Sequence, residues 1–256
     1  MKIRSVLLLT LLFLGAIFAQ TAAAGVMDGD VIRIGTEATY PPFEFRNEKN
    51  EIVGYEIDIA LEIAEILGKK VEIVDMAFDG LIPALLTRKV DLLAAGMTNT
   101  EERRKKVGFS TVYYDIENAF VVRSDDDSMT GLDDLKGKIA TVQMGTAQDL
   151  FISGTGLPAE IKRFQKNDDA LMELKFGRGD FSVLNLTVAG AYLRDNENFS
   201  ASLKIAFRNK VHQEGEGIAM AVPKEDEAFL KAVNDALSSM KERGRFEELK
   251  KKYGMD

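Results

Sequence analysis

The stretch VDLLAAGMTNTEERR, residues 90–104, joins an apolar run to a helix start, and it decides the fold. Residues 90–95 predict a buried strand. Thr98 and Thr100 are candidate N-caps of the helix that follows, and the two glutamates after them suit its first turn. Arg103 would then lie beside unpaired backbone N–H groups, an arrangement that can bind a carboxylate. The same residues also fit an ordinary helix start with a surface arginine, so other parts of the chain must decide.

The first 24 of the 256 residues differ in composition from the remainder. Two basic residues precede an apolar run over residues 6–19, and an alanine triplet at 22–24 stands before Gly25. This pattern predicts a secretory signal peptide, residues 1–24, because the run is too short to span a bilayer. We therefore expect an exported protein.

Cysteine content and charge narrow the class further. The chain contains no cysteine and has a formal net charge of −8. An exported chain of this length can rely on its apolar core, and without cysteine it offers no lipid attachment site, so we expect a free periplasmic protein. Lysines and arginines alternate with acids throughout, which argues against nucleic-acid binding.

Strand-like and helix-like runs alternate along the chain from residue 31. This alternation predicts an α/β fold whose sheets are mostly parallel and flanked by helices. The runs in the first half are VIRIGT (31–36), GYEIDIALEIAEILG (54–68), KVEIVDM (70–76), DGLIPALLTRK (79–89) and VDLLAAGM (90–97). Those in the second half are KIATVQ (138–143), IKRFQ (161–165), NDDALMELKFG (167–177) and GDFSVLN (179–185).

Two further extended runs, NAFVVRS (118–124) and GIAMAVPK (217–224), could cross between two such units. The chain would then form two lobes joined by hinge strands, and such lobes can close on a ligand. The predicted boundaries are 25–118 plus 222–256 for lobe 1, 119–221 for lobe 2, and hinge strands near 118–123 and 217–222.

Four segments resemble the polar amino-acid-binding proteins of ABC importers: ATYPPFEF (38–45), IVGYEIDIALEIAEILG (52–68), FDGLIPALLTRKVDLLAAGMTNTEER (78–103) and LDDLKGKIATVQMGT (132–146). The resemblance covers essentially all of the predicted mature chain. It implies a periplasmic binding protein of type II, in which two lobes trap one amino acid. It also implies docking on a membrane permease, a monomer, and no cofactor.

The resemblance places Arg103 at the ligand's α-carboxylate, which a planar guanidinium can bind with two hydrogen bonds. Thr98 would contribute its amide and hydroxyl, and Ala95 and Gly96 would provide neighbouring backbone contacts. Thr146 matches the carboxylate contact of the second lobe, at a helix N-terminus. Simple helix capping also explains Thr146, and both roles can coexist.

Residues that would surround the ligand's side chain follow from the same resemblance. Tyr40 and Phe78 match aromatic walls of the site, although core packing is the commoner fate of aromatic residues. Glu37 would face the side chain of the ligand, which favours a basic or amide group, although a solvated loop acid is equally consistent. Gln143 occupies a position that varies with the ligand.

The chain departs from the family pattern at Asn185, where an aspartate usually pairs with the ligand's α-ammonium. A hydrogen bond to a charged group contributes about 1.5–3 kcal/mol, against about 1 for a neutral pair. Either affinity is weaker, another acid such as Glu214 or Glu216 substitutes, or the ligand lacks a free ammonium. Ala147, where serine or threonine is common, removes a second contact.

Metal binding and catalysis have less support. His212 is the only histidine, and a surface position explains it better than a metal site. The alternative function is an enzyme on the same scaffold, a dehydratase that acts on a cyclic carboxylic acid. It would use Arg103 for the carboxylate and Glu37 as the proton donor.

Overall fold

The computed structural model describes residues 25–210 and 214–255. The predicted signal peptide and His212 both lie outside these ranges. None of the helices in the described part is long and apolar enough to span a membrane.

The described residues alternate between strands and helices, as the sequence predicts. The strands are β1 Val31–Thr36, β2 Thr39–Tyr40, β3 Glu44–Arg46, β4 Ile52–Val53, β5 Lys70–Asp75, β6 Leu92–Leu93, β7 Gly108–Phe109, β8 Asn118–Arg123, β9 Ile139–Gln143, β10 Glu160–Phe164, β11 Phe181–Asn185, β12 Leu203–Asn209 and β13 Ala221–Val222. The α-helices are α1 Tyr55–Ile66, α2 Phe78–Leu86, α3 Glu101–Lys106, α4 Ala147–Thr155, α5 Asn167–Lys175, α6 Leu186–Asp195, α7 Glu197–Ser200, α8 Glu227–Glu242 and α9 Arg245–Lys252.

Two five-stranded sheets carry the fold. The first has the order β5-β1-β6-β13-β7, with β1 parallel to both β5 and β6 and with β13 antiparallel to its neighbours. The second has the order β10-β9-β11-β8-β12, in which β9 is parallel to β10 and β11 while β8 is antiparallel. A small antiparallel sheet has the order β2-β3-β4. These sheets, flanked by helices, confirm the α/β class.

The helices pack with the apolar faces that the spacing of their hydrophobic residues predicts. In α8 the buried residues are Phe229, Val233, Ala236, Leu237 and Met240. They recur every three or four positions, so they line one side of the helix. Each large apolar side chain removed from water contributes about 1.5–3 kcal/mol.

The chain passes between the two sheets just before Asn118 and again near Ile218. β8 pairs with β11 and β12 of the second sheet, whereas β13 belongs to the first. Ile218 forms isolated antiparallel bridges to Thr98 and to Tyr114, so the two connections lie side by side. Two adjacent connections of this kind are typical of hinged two-lobed proteins.

The predicted strand over residues 90–97 is shorter in the structure. Only Leu92–Leu93 pairs within the sheet, although residues 90–97 are all buried. Asp91 binds the guanidinium and amide of Arg33, and Gly96 has a left-handed backbone with φ of 55°. These two features end the regular pairing on either side of the leucines.

Candidate functional site

A small pocket lies between the two sheets and brings together seven of the residues predicted from sequence. Its volume is about 10 Å³, which is enough for at most one water molecule, so the cleft is closed. The lining residues are Tyr40, Phe78, Gly96, Thr98, Arg103, Gln143, Thr146, Ala147 and Gln148. A larger cavity of about 910 Å³ lies between residues 111–117, α8 and α9, and it contains none of the predicted site residues.

Arg103 is a buried cation in this pocket, with 6% of its surface exposed. Its Nη1 donates to the Thr98 carbonyl at 2.8 Å, and its Nη2 donates to the Gly145 carbonyl at 2.9 Å. The guanidinium carbon lies 5.3 Å from the centre of the Phe78 ring. Burial lowers the pKa of Arg103 to about 10, and Tyr40, Glu102 and Glu216 only partly oppose that decrease. An anion that entered the pocket would offset this effect of burial.

Arg103 reaches the pocket because the short helix α3 begins at Thr100. The Thr100 hydroxyl accepts a hydrogen bond from the Arg103 amide at 3.4 Å, so Thr100 rather than Thr98 is the N-cap. Thr98 is consequently free to line the pocket. The alternative of a surface arginine is therefore wrong.

Thr146 caps α4 on the other side of the pocket. Its hydroxyl accepts from the Asp149 amide at 3.1 Å and donates to the Gln143 carbonyl at 2.9 Å. The positive end of α4 accordingly points toward the pocket that Arg103 also lines. Capping and a place in the pocket do coexist at this residue.

Glu37 lies at the same cleft, although it does not line the small pocket. It is 4% exposed, so the interpretation as a solvated loop acid is wrong. One carboxylate oxygen accepts from the Thr39 hydroxyl and the other from Gln143 Nε2 at 3.2 Å. Burial raises the pKa of Glu37 to about 7, and the two hydrogen bonds only partly oppose that rise. The Asn167 side chain donates to Gln143 Oε1 at 2.6 Å and fixes this amide.

Hydrogen bonds join the two sides of the cleft near the pocket. Gln143 donates to Glu37, Arg103 donates to the Gly145 carbonyl, and the Tyr192 hydroxyl donates to the Thr39 carbonyl at 2.6 Å. Sequence reasoning missed Tyr192, because nothing in the pattern of helix α6 distinguishes it from a core residue. Hydrogen bonds between protein groups therefore hold the cleft closed.

The comparison with known proteins agrees with this geometry. Residues 32–256 match the family described as bacterial extracellular solute-binding proteins, family 3. The chain belongs to this family.

Relatives of this solute-binding protein are similar over nearly their whole length. The chain is 35% identical over 245 residues to the arginine-binding extracellular protein ArtP of Bacillus subtilis strain 168, and the match covers 92% of each protein. A structure of an ancestral arginine-binding protein bound to arginine shares 40% identity with a TM-score of 0.82, covering 88% of this chain and 98% of that one. A structure of an ancestral amino acid-binding protein, described as a precursor of cyclohexadienyl dehydratase, shares 32% identity with a TM-score of 0.80, covering 90% of this chain and 99% of that one. These likenesses confirm the two-lobed fold.

Asn185 of this solute-binding protein does not line the pocket. It is 2% exposed and caps α6, where its Oδ1 accepts from the Thr187 amide at 2.8 Å and the Val188 amide at 3.4 Å. Gln148, which sequence reasoning missed, does line the pocket and donates to Asn118 Oδ1 at 2.9 Å. Its place in the first turn of α4, two residues after Thr146, was the available signal.

The other candidate residues occupy simpler positions. Ala95 is 2% exposed and packs in the core behind the pocket. Glu214 lies in an exposed turn, outside the pocket lining. Across the ranges 25–210 and 214–255, no three His, Cys, Asp or Glu side chains are grouped so that they could hold a metal ion.

Gly96 is required at its position, and its replacement gives a testable prediction. A Cβ on Gly96 would lie 2.4 Å from Cε1 of Tyr40, and the backbone φ of 55° is strained for other residues. We expect Gly96→Ala to lower the free energy of unfolding by about 1–3 kcal/mol, measured by urea denaturation. Gly80→Ala is the control, because no atom lies within 4 Å of its Cβ. Equal denaturation midpoints for both variants would contradict the prediction.

Proposed function

We propose that this solute-binding protein captures an amino acid with a cationic side chain and delivers it to the membrane permease of an ABC importer. The observation that carries the proposal is a buried cation and a buried acid at one cleft. Arg103 and Glu37 are 6% and 4% exposed, and each is hydrogen-bonded across the cleft to a different partner. A ligand with a carboxylate at one end and a cation at the other would complement both groups. The arginine-binding relatives make L-arginine the first ligand to test.

We further propose that binding closes two lobes with the boundaries 25–118 plus 222–256 and 119–221. Membership of β1, β5, β6, β7 and β13 in one sheet and of β8 to β12 in the other supports this division. A ligand that touches both lobes binds the closed form more tightly and shifts the population toward it. We propose a monomeric protein, free in the periplasm after signal cleavage, as the form that meets the permease.

Isothermal titration against arginine, lysine, histidine, glutamine and glutamate tests the ligand class. The protein is first unfolded and refolded by dialysis, so that any amino acid retained during purification is removed. We expect the cationic amino acids to bind at least about tenfold more tightly than glutamate, since burying an unpaired charge costs more than 1.4 kcal/mol. The absence of heat and of a thermal shift with every amino acid at millimolar concentration would refute amino-acid binding.

A dehydratase remains the second candidate function, and one observation favours it. Burial raises the pKa of Glu37 to about 7, which suits a general acid at neutral pH. One structural relative is also described as a precursor of cyclohexadienyl dehydratase. We propose that the protein is not an enzyme, and we expect no turnover of prephenate or arogenate. Turnover that Glu37→Gln abolishes would establish the enzyme instead.

A further inference from the structure

Two glutamates are buried together directly behind the pocket. Glu44 lies on β3 and Glu56 in the first turn of α1, and both are 0% exposed. Oε1 of Glu44 is 3.3 Å from the position that a Cβ on Gly96 would occupy, and the Tyr40 ring lies against the same position. The pair therefore supports two residues of the pocket lining.

The hydrogen bonds of the two carboxyl groups are very unequal. Glu56 Oε2 accepts from the Gly96 amide at 2.6 Å, and its Oε1 accepts from the Tyr113 hydroxyl. Neither oxygen of Glu44 has a hydrogen-bond donor among the described residues. Both carboxyl groups lie against Gly96, Glu56 at its amide and Glu44 beside its Cα, and two carboxylates cannot bond to each other without a proton. A proton on one of them completes the network.

The surroundings of the pair supply no compensating positive charge. Within the described part of the chain, both carboxyl groups lack a hydrogen bond or ion pair to lysine or arginine. Arg103, the nearby cation, acts on the Tyr40 side of the pocket. The titratable and charged groups that face the pair are Glu37, Tyr40, Tyr55, Tyr113 and, beyond Tyr40, Arg103. Two adjacent negative charges in such a site would be strongly unfavourable.

We propose that Glu44 is a protonated carboxylic acid at neutral pH, that it donates a hydrogen bond to the Glu56 carboxylate, and that it thereby positions the Gly96 amide at the ligand pocket. Glu56 is the better carboxylate, because it already accepts from an amide and a hydroxyl. Burial beside Glu56 holds the pKa of Glu44 well above its usual range, which agrees with this assignment. Glu44 is a positioning residue: it touches Glu56 and the pocket lining, and acts on the ligand through them.

The consequence for binding follows from the backbone of residues 95–98. Gly96 has a left-handed backbone conformation, its amide donates to Glu56, and it lies two residues before Thr98 of the pocket lining. When Glu56 accepts hydrogen bonds from the Gly96 amide, the Tyr113 hydroxyl and the Glu44 carboxyl, the turn at Gly96 is fixed relative to Arg103. Without the proton on Glu44, repulsion between the carboxylates would loosen the turn. This effect on affinity rests on the function proposed above, whereas the protonation of Glu44 does not.

Infrared difference spectroscopy tests the protonation without any ligand. At pH 7 the wild type should show a carbonyl stretch of a buried carboxylic acid that Glu44→Gln lacks. Any band from Glu37, whose pKa is raised to about 7, is common to both proteins and cancels in their difference spectrum. Glu48→Gln, an exposed glutamate on the neighbouring turn, should keep the band that Glu44→Gln lacks. Because a raised carboxyl pKa stabilises the folded state at low pH, stability should fall as pH rises from about 5 to 7, and less steeply in Glu44→Gln by about one proton. An identical band and an identical slope in wild type and Glu44→Gln would overturn the proposal.

Affinity for L-arginine tests the positioning role. Glu44→Gln retains an N–H donor toward Glu56, so we expect a Kd within about threefold of wild type, whereas Glu44→Met removes the donor and should weaken binding at least about tenfold. Equal affinities of the two variants would overturn the positioning role. If wild type binds no amino acid, the proposed function fails, while the infrared result still decides the state of Glu44. If Glu44→Met does not fold, the shallower pH dependence of stability in Glu44→Gln still decides whether Glu44 is protonated.

Discussion

Arg103→Ala should abolish the binding of amino acids. The guanidinium is the buried cation of the pocket, and its removal leaves the ligand carboxylate without its charged partner. Truncating one member of a buried, hydrogen-bonded charge pair costs about 2–5 kcal/mol, which corresponds to a Kd raised by about 30-fold to several thousandfold. Isothermal titration with L-arginine measures the change, and circular dichroism confirms that the variant is folded.

Two further variants separate charge from geometry. Arg103→Lys keeps the positive charge but loses the planar pair of donors, so we expect an intermediate affinity. Lys105→Ala in the same helix removes an exposed cation that pairs with Glu101, and it should leave the affinity unchanged. An affinity of Arg103→Ala within a few-fold of wild type would show that residues 96–104 only begin a helix.

The affinity for L-arginine should depend on pH through Glu37. Burial raises the pKa of Glu37 to about 7, so the unliganded cleft holds a proton there in more acidic solution. A cationic side chain needs the carboxylate form, and its binding must therefore release that proton. We expect affinity to fall by up to about tenfold per pH unit below about 7 and to be level above it. Titrations from pH 5 to pH 8.5 in buffers of different ionisation enthalpy measure both the affinity and the protons released.

Glu37→Gln isolates this effect. The amide cannot ionise, so the pH dependence that comes from Glu37 should disappear. Arginine affinity at pH 8 should fall by at least about 30-fold, since a buried charge partner contributes 2 kcal/mol or more. Glutamine should lose much less, because its side chain carries no charge. A pH profile identical to that of wild type would show that Glu37 does not face the ligand.

The free energy of unfolding should change with pH in the direction opposite to the affinity for L-arginine. The folded state raises the pKa of Glu37 from 4.5 to about 7 and holds the pKa of Glu44 well above its usual range, in both cases mainly through burial. A carboxyl whose pKa is raised by folding stabilises the protein fully below its unfolded value, and this contribution is lost as pH rises toward 7. The unliganded protein should consequently be most stable in mildly acidic solution, where it binds cationic amino acids least well.

The sequence by itself determined the α/β alternation, the buried faces of the helices and the donors around Arg103. These features depend on spacing within short segments, since hydrophobic periodicity and helix caps are local properties. It also indicated the family through the order of its motifs. It did not reveal the small sheet of β2, β3 and β4, whose short strands lie in a stretch rich in turn-forming residues.

Only the tertiary structure decided which distant polar groups meet. Glu37 looked equally like a solvated acid, and its burial depends on Gln143 approaching from the other lobe. Tyr192 belongs to a helix whose periodicity marks it as an ordinary core residue, and for Gln148 the sequence offered only its place in the first turn of α4. Glu44 and Glu56 became a pair because β3 and α1 cover the turn at Gly96. Burial and proton sharing arise from three-dimensional proximity, so no local pattern of residues could encode them.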